Sequence, residues 1–182
     1  MIGAIEGIRD GQVFRDRREL HDAHVHRGLQ QRIGANGDSI VLSGGYVDDV
    51  DDGDVIIYTG EGGRDQNTGR QIANQTLTRG NLALAKHFRE GNPIRVNRGY
   101  TSDSKYAPER GYSYDGLYRI ENCWSEHGKD GFLVWRYRLV KMSSSEQIQV
   151  ENPQFAPQEK EQPSCTSVYT TRVIRNSDVG NY

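Results

Sequence analysis

The sequence predicts an α+β fold dominated by β-strands, in which a strongly curved sheet or barrel has one or two helices packed outside it. Short apolar runs alternate with glycine turns through the first 142 residues, where all but one of the 21 glycines lie. A single stretch has the apolar period of a surface helix. After about Met142 the chain becomes polar, contains three of the five prolines and loses its periodicity. These observations indicate one folded domain over residues 1–142, followed by a flexible linker over residues 143–164.

Five strands are predicted in the folded domain. Each is a run of apolar or β-branched residues bounded by glycine or polar turn residues, a pattern typical of buried strands. The last two flank the turn sequence SEHGKDG, which predicts a long hairpin. In order, the strands are Ser39–Ser43, Val55–Thr59, Ile94–Arg98, Leu117–Trp124 and Gly131–Met142.

One helix is predicted from about Thr78 to Arg89. Leu82, Ala85 and Phe88 recur at helical spacing and form its apolar stripe. Gly91 follows directly, where a helix commonly ends on a glycine in the left-handed conformation.

The charges are segregated although the formal net charge is only −2. From Tyr46 to Gly63 there are six acidic residues and no basic one. From Arg64 to Arg110 there are nine basic residues and four acidic ones. Such blocks also occur on ordinary solvated surfaces. The asymmetry therefore permits nucleic-acid binding through a local basic face without requiring it.

The numbers and spacing of the cysteines and histidines argue against a disulfide-bonded or metal-binding domain. Cys123 and Cys165 are far apart and form no CxxC pair, so reduced thiols are expected rather than a disulfide or a zinc site. His21, His24 and His26 lack the spacing of a helical metal-binding pair. No metal is therefore expected in this chain.

Targeting signals are also missing from the sequence. No apolar run approaches the length of a membrane span, and the N-terminal sequence has no basic start or apolar centre of a signal peptide. A cytoplasmic protein without membrane contact is expected.

The segment SIVLSGGYVDDVDDGDVIIYTGEGGRD is the most informative in the chain. Tyr46 and Tyr58 end two predicted strands, each beside glycines that allow the backbone close to a planar guest. Asp49 lies between them, and a carboxylate accepts a hydrogen bond from an exocyclic amine such as cytosine N4. The alternative is that both tyrosines belong to the core or a hairpin and that the aspartates cap turns.

Other motif interpretations fail on spacing. The aspartate run cannot form an EF-hand loop, because Val50 and Thr59 then occupy ligand positions. GEGG is not followed by the Gly-Lys-Ser/Thr of a phosphate-binding loop. No nuclease motif or nucleophile beside a base is recognisable, so the chain itself contains no predicted catalytic site.

Five segments together resemble the SRA domain family (SET and RING-associated, also called YDG). They are LSGGYVDDVDDGDVIIYTGEGGRD, TLTRGNLALAKH, PIRVNRG, SKYAPERGYSYDGLYRI and GFLVWRYRLVK, in the family's order and spacing. The fourth contains the name-giving triplet Tyr114, Asp115 and Gly116. The resemblance implies an SRA/PUA-like fold that flips cytosine bearing a 5-methyl or related group, such as 5-hydroxymethyl, out of duplex DNA.

The same resemblance implies roles for individual residues. Tyr46 and Tyr58 are expected to stack on the two faces of the flipped base, and Asp49 to bind its N4 amine. Thr59 and the backbone of Ser43, Gly44 and Gly45 are expected to serve the remaining polar edge.

Two departures from the family pattern affect specificity. Glu61 replaces a small serine that contacts the 5-substituent region in eukaryotic members, which puts the methyl preference in doubt. The loop after Asp65 is shorter than in members that read the opposite strand, so a preference for hemimethylated CpG is not carried over.

Two loops are expected to face DNA. One is HDAHVHRGLQQR, from which family members send a thumb into the gap left by the base. The other lies in the basic block that begins at Arg64, after the segment containing Tyr46 and Tyr58. The candidate residues are Val25, His26, Arg27 and Leu29 in the first loop, and Arg64, Arg70 and Arg79 in the basic block.

The C-terminal residues 165–182 resemble the lead-in to the HNH nuclease domain of bacterial SRA–HNH modification-dependent restriction endonucleases. A separate nuclease domain with a divalent metal is then expected, together with a homodimer formed through it and location at the bacterial nucleoid. The alternatives are an unrelated tail, a free-standing reader of modified DNA, and a base-modifying enzyme, for which no catalytic set is found.

Overall fold

A computed structural model of the protein describes residues 2–151 and 161–167. Within these residues seven strands form one sheet, and three helices accompany it. The strands are β1 (Val13–Phe14), β2 (Ser39–Leu42), β3 (Val50–Asp51), β4 (Val55–Thr59), β5 (Ile94–Gly99), β6 (Tyr112–His127) and β7 (Leu133–Lys141). The helices are α1 (Arg17–Asp22), α2 (Arg79–Glu90) and α3 (Ser144–Glu151).

The sheet has the order β2-β5-β6-β7-β4-β3, with β1 paired to β6. β2 and β5 are parallel, and the other neighbours are antiparallel. The two end strands of this path, β2 and β3, are not paired with each other, so the sheet stays open. The predicted strand-dominated, curved-sheet α+β fold is confirmed, and closure into a barrel is not found.

The main core lies between the sheet and α2. Ile40, Ile56, Ile94 and Leu139 from four strands pack with Leu84 of the helix, and none of the five is solvent-exposed. Burial of apolar surface on this scale is the main source of stability for a domain of this size.

The predicted strands and helix are found with small shifts. β6 is longer than predicted, since it begins at Tyr112, and it pairs with β1, β5 and β7 along its length. α2 has Thr78 as N-cap and left-handed Gly91 as C-cap. The predicted apolar stripe is displaced, because Leu82 is 39% exposed whereas Leu84 is fully buried.

The prediction of reduced cysteines is wrong. Cys123 of β6 forms a disulfide with Cys165 across 42 residues of sequence. Residues 161–167 return to the sheet, where Thr166 forms an isolated parallel bridge with Trp124. A long return of the chain brings the two thiols together, and sequence spacing alone does not reveal it.

The predicted linker is only partly described. Its first residues form α3 rather than an extended chain. Residues 152–160 and 168–182, which include most of the predicted nuclease lead-in, lie outside the described residues.

Candidate base-binding slot

The base-binding slot is the space around Tyr46, Asp49 and Tyr58, at the ends of β2 and β4. After β2 the chain turns through Gly44 and Gly45, whose φ angles are +80° and +94°. A Cβ atom on Gly44 would lie 2.9 Å from the carbonyl oxygen of Thr101, and one on Gly45 would lie 2.7 Å from a guanidinium nitrogen of Arg64. Both positions therefore require glycine, as the sequence predicts. The carbonyl of Ser43 is already used, because it accepts a hydrogen bond of 2.6 Å from the Thr101 hydroxyl.

A hydrogen bond to the backbone fixes Asp49 in the slot. Its Oδ1 accepts a hydrogen bond of 2.7 Å from the backbone N–H of Thr59, the last residue of β4. This contact joins the loop after β2 to the end of β4. It leaves Oδ2 as the acceptor directed at the slot.

The slot contains the guanidinium of Arg32, a residue not among the predicted site residues. The guanidinium carbon lies 4.1 Å from the ring centre of Tyr46 and 4.6 Å from that of Tyr58. Nη2 donates to Asp49 Oδ2 at 2.5 Å, and Nη1 donates to the Thr59 carbonyl at 3.0 Å. The predicted pair of aromatic residues and the predicted carboxylate thus meet around one planar, hydrogen-bond-donating group.

Several polar atoms of the slot have no hydrogen-bond partner among the described residues. They are the hydroxyls of Tyr58 and Thr59 and the Nε of Arg32, all buried. Buried polar groups are rarely left without partners unless they serve a ligand or an ordered water. Tyr58, Thr59 and Arg32 thus each keep a buried polar atom that no described residue satisfies.

The electrostatics of the slot favour a donor group. Burial alone lowers the pKa of Arg32, but the neighbouring Tyr58, Asp49 and Tyr46 raise it above its ordinary value. Burial has the opposite effect on the acid Tyr58: it raises the pKa of the hydroxyl, which therefore stays protonated. The slot consequently holds one compensated positive charge against the Asp49 carboxylate.

The neighbouring acidic residues have structural partners. Asp48 accepts a hydrogen bond of 2.9 Å from the backbone N–H of Lys129 in the β6–β7 turn. Glu61 accepts one of 3.2 Å from Gly80, in the first turn of α2, where Thr78 provides no side-chain cap. The Glu61 carboxylate thus acts at the positive end of a helix.

The name-giving triplet of the family supports the fold. The Arg98 guanidinium donates a hydrogen bond of 2.9 Å to the Asp115 carboxylate. It also donates two hydrogen bonds of 2.7 Å, from two nitrogens, to the Asp51 carboxylate. Tyr114 is 2% exposed, and burial raises its pKa to about 12. A Cβ on Gly116 would lie 2.7 Å from a carboxylate oxygen of Asp10. None of the three is among the residues that surround the Arg32 guanidinium.

Two of the four residues predicted to contact DNA from the loop HDAHVHRGLQQR are buried in this structure. Val25 and His26 are fully buried, and the two ring nitrogens of His26 lie 2.9 Å from the Ser39 hydroxyl and the Gln31 carbonyl. Leu29 is 44% exposed, so it remains a candidate thumb. Arg27 pairs with Asp38 at 3.2 Å. Sequence pattern could not separate these neighbours because the loop has no periodicity.

The predicted basic residues are placed around the slot to different degrees. Arg64 lies 5.2 Å from the ring centre of Tyr46 and donates to the Gly69 carbonyl at 2.8 Å. Arg70 and Arg79 are exposed. Arg64 is thus part of the slot region, whereas the other two are surface cations.

The described residues contain neither a metal-binding cluster nor a membrane-spanning helix. Among the described residues, no group of three or more His, Cys, Asp or Glu side chains is arranged to hold a metal ion. In the same residues, none of the helices is long and apolar enough to span a membrane.

Comparison with known proteins identifies the family. The family model described as the SAD/SRA domain matches residues 1–145. The chain is 40% identical over 162 residues to the E3 ubiquitin-protein ligase UHRF1 of Rattus norvegicus, covering 76% of this chain and 21% of that protein. It is 38% identical over 174 residues to the histone-lysine N-methyltransferase family member SUVH9 of Arabidopsis thaliana, covering 90% and 26%. The chain thus belongs to the SAD/SRA family and spans about a fifth to a quarter of these relatives.

Solved structures agree with this assignment. The modification-dependent TagI restriction endonuclease matches with a TM-score of 0.75 and 41% identity, covering 79% of this chain and 53% of the other. The SRA domain of SUVH5 in complex with hemimethylated CG DNA matches with a TM-score of 0.67 and 39% identity, covering 79% and 95%. The same domain with fully hydroxymethylated CG DNA matches at 0.65 and 36%, covering 90% and 99%.

Proposed function

We propose that this chain binds duplex DNA containing a modified cytosine and holds the flipped base between Tyr46 and Tyr58. The observation that supports this most directly is the position of the Arg32 guanidinium. It is flat, lies against both rings and donates to Asp49 and to the Thr59 carbonyl. The C4 amine edge of cytosine is also flat and offers two N–H donors, so the base satisfies the same two acceptors.

The energy of base flipping also favours a slot with two aromatic residues. Extruding a base costs a few kcal/mol, and each base–aromatic stacking contact contributes about 1–3 kcal/mol. Stacking on Tyr46 and Tyr58 together therefore offsets the extrusion, whereas one ring alone does not do so reliably. We assign the backbone N–H groups at Gly44 and Gly45 to the carbonyl edge of the base.

The relatives support the modified base as ligand. The SUVH5 structures contain methylated and hydroxymethylated CG DNA. Glu61, which bonds the start of α2, occupies the position that the family pattern assigns to the 5-substituent region. The choice between 5-methyl and 5-hydroxymethyl therefore depends on a side chain already engaged by the fold.

We assign this recognition domain to a modification-dependent restriction endonuclease. The similarity to TagI supports the assignment, and this chain corresponds to about half of that protein. In this proposal an HNH nuclease domain outside the described residues cuts DNA, binds the divalent metal and forms the homodimer in a bacterial cytoplasm. The recognition domain itself requires no cofactor.

A reader without a nuclease is the second candidate. The similarity to SUVH9 and UHRF1, whose names describe no nuclease, favours it. The gene sequence around this chain distinguishes the two candidates, because only the first requires a nuclease domain in the same protein.

The test is binding to two otherwise identical duplexes, one with 5-methylcytosine and one unmodified. Salt must be held constant because phosphate contacts make every affinity fall as salt rises. A duplex with 5-hydroxymethylcytosine gives the preference between the two modifications. Tighter binding of a modified duplex is expected, and equal affinity for all three would refute the proposed function.

A cleavage assay addresses the second part of the proposal. The 182-residue chain, incubated with modified plasmid and Mg²⁺ or Mn²⁺, is expected to leave the plasmid intact. Nicking that survives repurification and disappears in a histidine variant would reveal a catalytic site within this chain.

A further inference from the structure

Arg32 occupies the space that the proposed function gives to the base. It is the last residue of the loop HDAHVHRGLQQR, and the next residue, Ile33, is buried and pairs with Ile40 of β2. The Arg32 side chain is only 12% exposed, and that of Asp49 only 13%. The guanidinium is therefore enclosed by the slot rather than resting at its entrance.

The contacts of Arg32 exclude a second planar guest. A guanidinium carbon 4.1 Å from one ring and 4.6 Å from the other leaves no space for a base between the same rings. Asp49 Oδ2 and the Thr59 carbonyl accept from Arg32, and the amine of a flipped cytosine needs these acceptors. Base and guanidinium therefore compete for the same stacking faces and the same two acceptors.

We propose that Arg32 is an internal competitor that closes the slot by imitating the amine edge of cytosine, so that a flipped base enters only when this side chain leaves. This inference rests on the proposed function. Arg32 thereby becomes a residue that sets the affinity for flipped bases, without contacting the base itself.

The physical properties of arginine suit this role. A guanidinium is planar, more weakly hydrated than an ammonium, and stacks well on aromatic rings. Its bond to Asp49 is charge-assisted, whereas the cytosine amine is neutral. The base therefore replaces a strong internal contact with a weaker one and depends on its own stacking to do so.

The consequence for binding follows from competition between two occupants. When only a fraction of molecules has an open slot, the apparent dissociation constant is the intrinsic one divided by that fraction. Arg32→Ala opens the slot permanently, so we expect tighter binding of the modified duplex, by about tenfold if the slot is open in about one molecule in ten. The gain is expected in spite of the loss of a positive charge, which by itself weakens DNA binding.

The experiment compares the wild-type chain with Arg32→Ala and Arg32→Lys on the modified duplex at fixed ionic strength. The lysine variant keeps the charge but lacks the planar fork, so a smaller gain is expected. It also provides a second measurement if the alanine variant folds poorly, which thermal melting checks. Arg15→Ala is the control for loss of one charge, since the Arg15 side chain is 85% exposed and pairs with Glu19 in the first turn of α1.

Methylguanidinium provides a direct probe of the opened slot. In Arg32→Ala the added ion is expected to refill the space between the tyrosines and to compete with the modified duplex. In the wild type it is expected to have little effect beyond that of an equal concentration of tetramethylammonium, because the slot is already filled.

The outcomes separate the two proposals. Tighter binding by Arg32→Ala, reversed by methylguanidinium, supports the internal competitor. Equal or weaker binding by both Arg32 variants, in a wild type that still prefers the modified duplex, overturns it and leaves the proposed function intact. If neither the wild type nor the variants prefer the modified duplex, the proposed function fails and this inference fails with it.

Discussion

Replacing Asp49 by asparagine tests the assigned amine reader with little change of shape. The Asn side-chain oxygen can keep the hydrogen bond from the Thr59 N–H, which Asp49 Oδ1 now accepts at 2.7 Å. The side-chain amide nitrogen then replaces Oδ2 and presents a donor to the donor of the base. Asp49→Asn is therefore a cleaner test than Asp49→Ala, which also removes the contact to β4.

The expected loss of affinity follows from the hydrogen bond between the base amine and the Asp49 carboxylate that Asp49→Asn removes. A hydrogen bond to a charged group contributes about 1.5–3 kcal/mol, which corresponds to a change in affinity of roughly 10- to 150-fold. In the wild type this loss is partly offset, because the same substitution weakens the bond from Arg32 to Asp49 Oδ2. The full loss is therefore expected in the Arg32→Ala background, where no internal competitor remains.

The assay is a double-mutant cycle of Asp49→Asn and Arg32→Ala on modified and unmodified duplexes at fixed salt. In the Arg32→Ala background, Asp49→Asn is expected to reduce binding of the modified duplex to the salt-sensitive background of the unmodified one; in the wild-type background a smaller reduction is expected. Asp48→Asn is the matched control, since Asp48 bonds the Lys129 backbone and its loss leaves the slot acceptors in place.

The reasoning is refuted if Asp49→Asn retains the full preference for modified DNA in both backgrounds. A loss that is equally large for Asp48→Asn would also refute it, because removing an acidic charge by itself favours binding to DNA phosphates, and a shared loss would indicate a general disturbance of this loop.

Four further predictions address individual groups. Tyr58→Phe removes a buried hydroxyl that has no partner among the described residues. The free energy of unfolding, measured with denaturant, should therefore rise by about 1 kcal/mol, and modified DNA should still bind. Burial lowers the pKa of His26 from 6.5 to about 4, so the neutral form is favoured in the fold. Stability should therefore be complete above pH 6.5 and should fall by about 3 kcal/mol as the pH drops to 4, a slope that His26→Gln should reduce. Cys165→Ser should cost about 4 kcal/mol, the chain-entropy value for a 42-residue closure, and reducing agent should bring the wild type to the same melting temperature. Neutralising Arg70 and Arg79 together should weaken binding to modified and unmodified duplexes equally and reduce the slope of affinity against salt.

Local sequence pattern predicted most of the elements. Apolar runs between turn residues gave the strands near their observed bounds, and α2 ends at Gly91 as expected. These features depend on residues close together in the chain, where spacing and turn chemistry act directly. The pattern was less reliable for the buried face of α2, because the packing of Leu84 against the sheet decides it.

The sequence also predicts the tyrosine pair and the carboxylate between them. Glycines that must adopt positive φ mark the bend beside Tyr46, and the short separation from β4 brings Tyr58 near it. The family resemblance added the expected roles of Asp49 and Thr59, and the structure places both around one space. Their role in binding a base stays a prediction until the duplexes are compared.

The sequence by itself thus determined five of the seven described strands and helix α2, because spacing and turn chemistry within a short segment encode each of them. The two-residue strands β1 and β3 are too short for such a pattern. Tyr46, Asp49 and Tyr58 were found from the sequence together with the family resemblance. Only the tertiary structure decided that Arg32 fills the slot, that Val25 and His26 are buried, and that Cys123 meets Cys165. Arg32 and Asp49 are 17 residues apart, and the cysteines are 42 apart. Contacts across such distances depend on how loops of no fixed period return to the sheet, and no local pattern specifies that return.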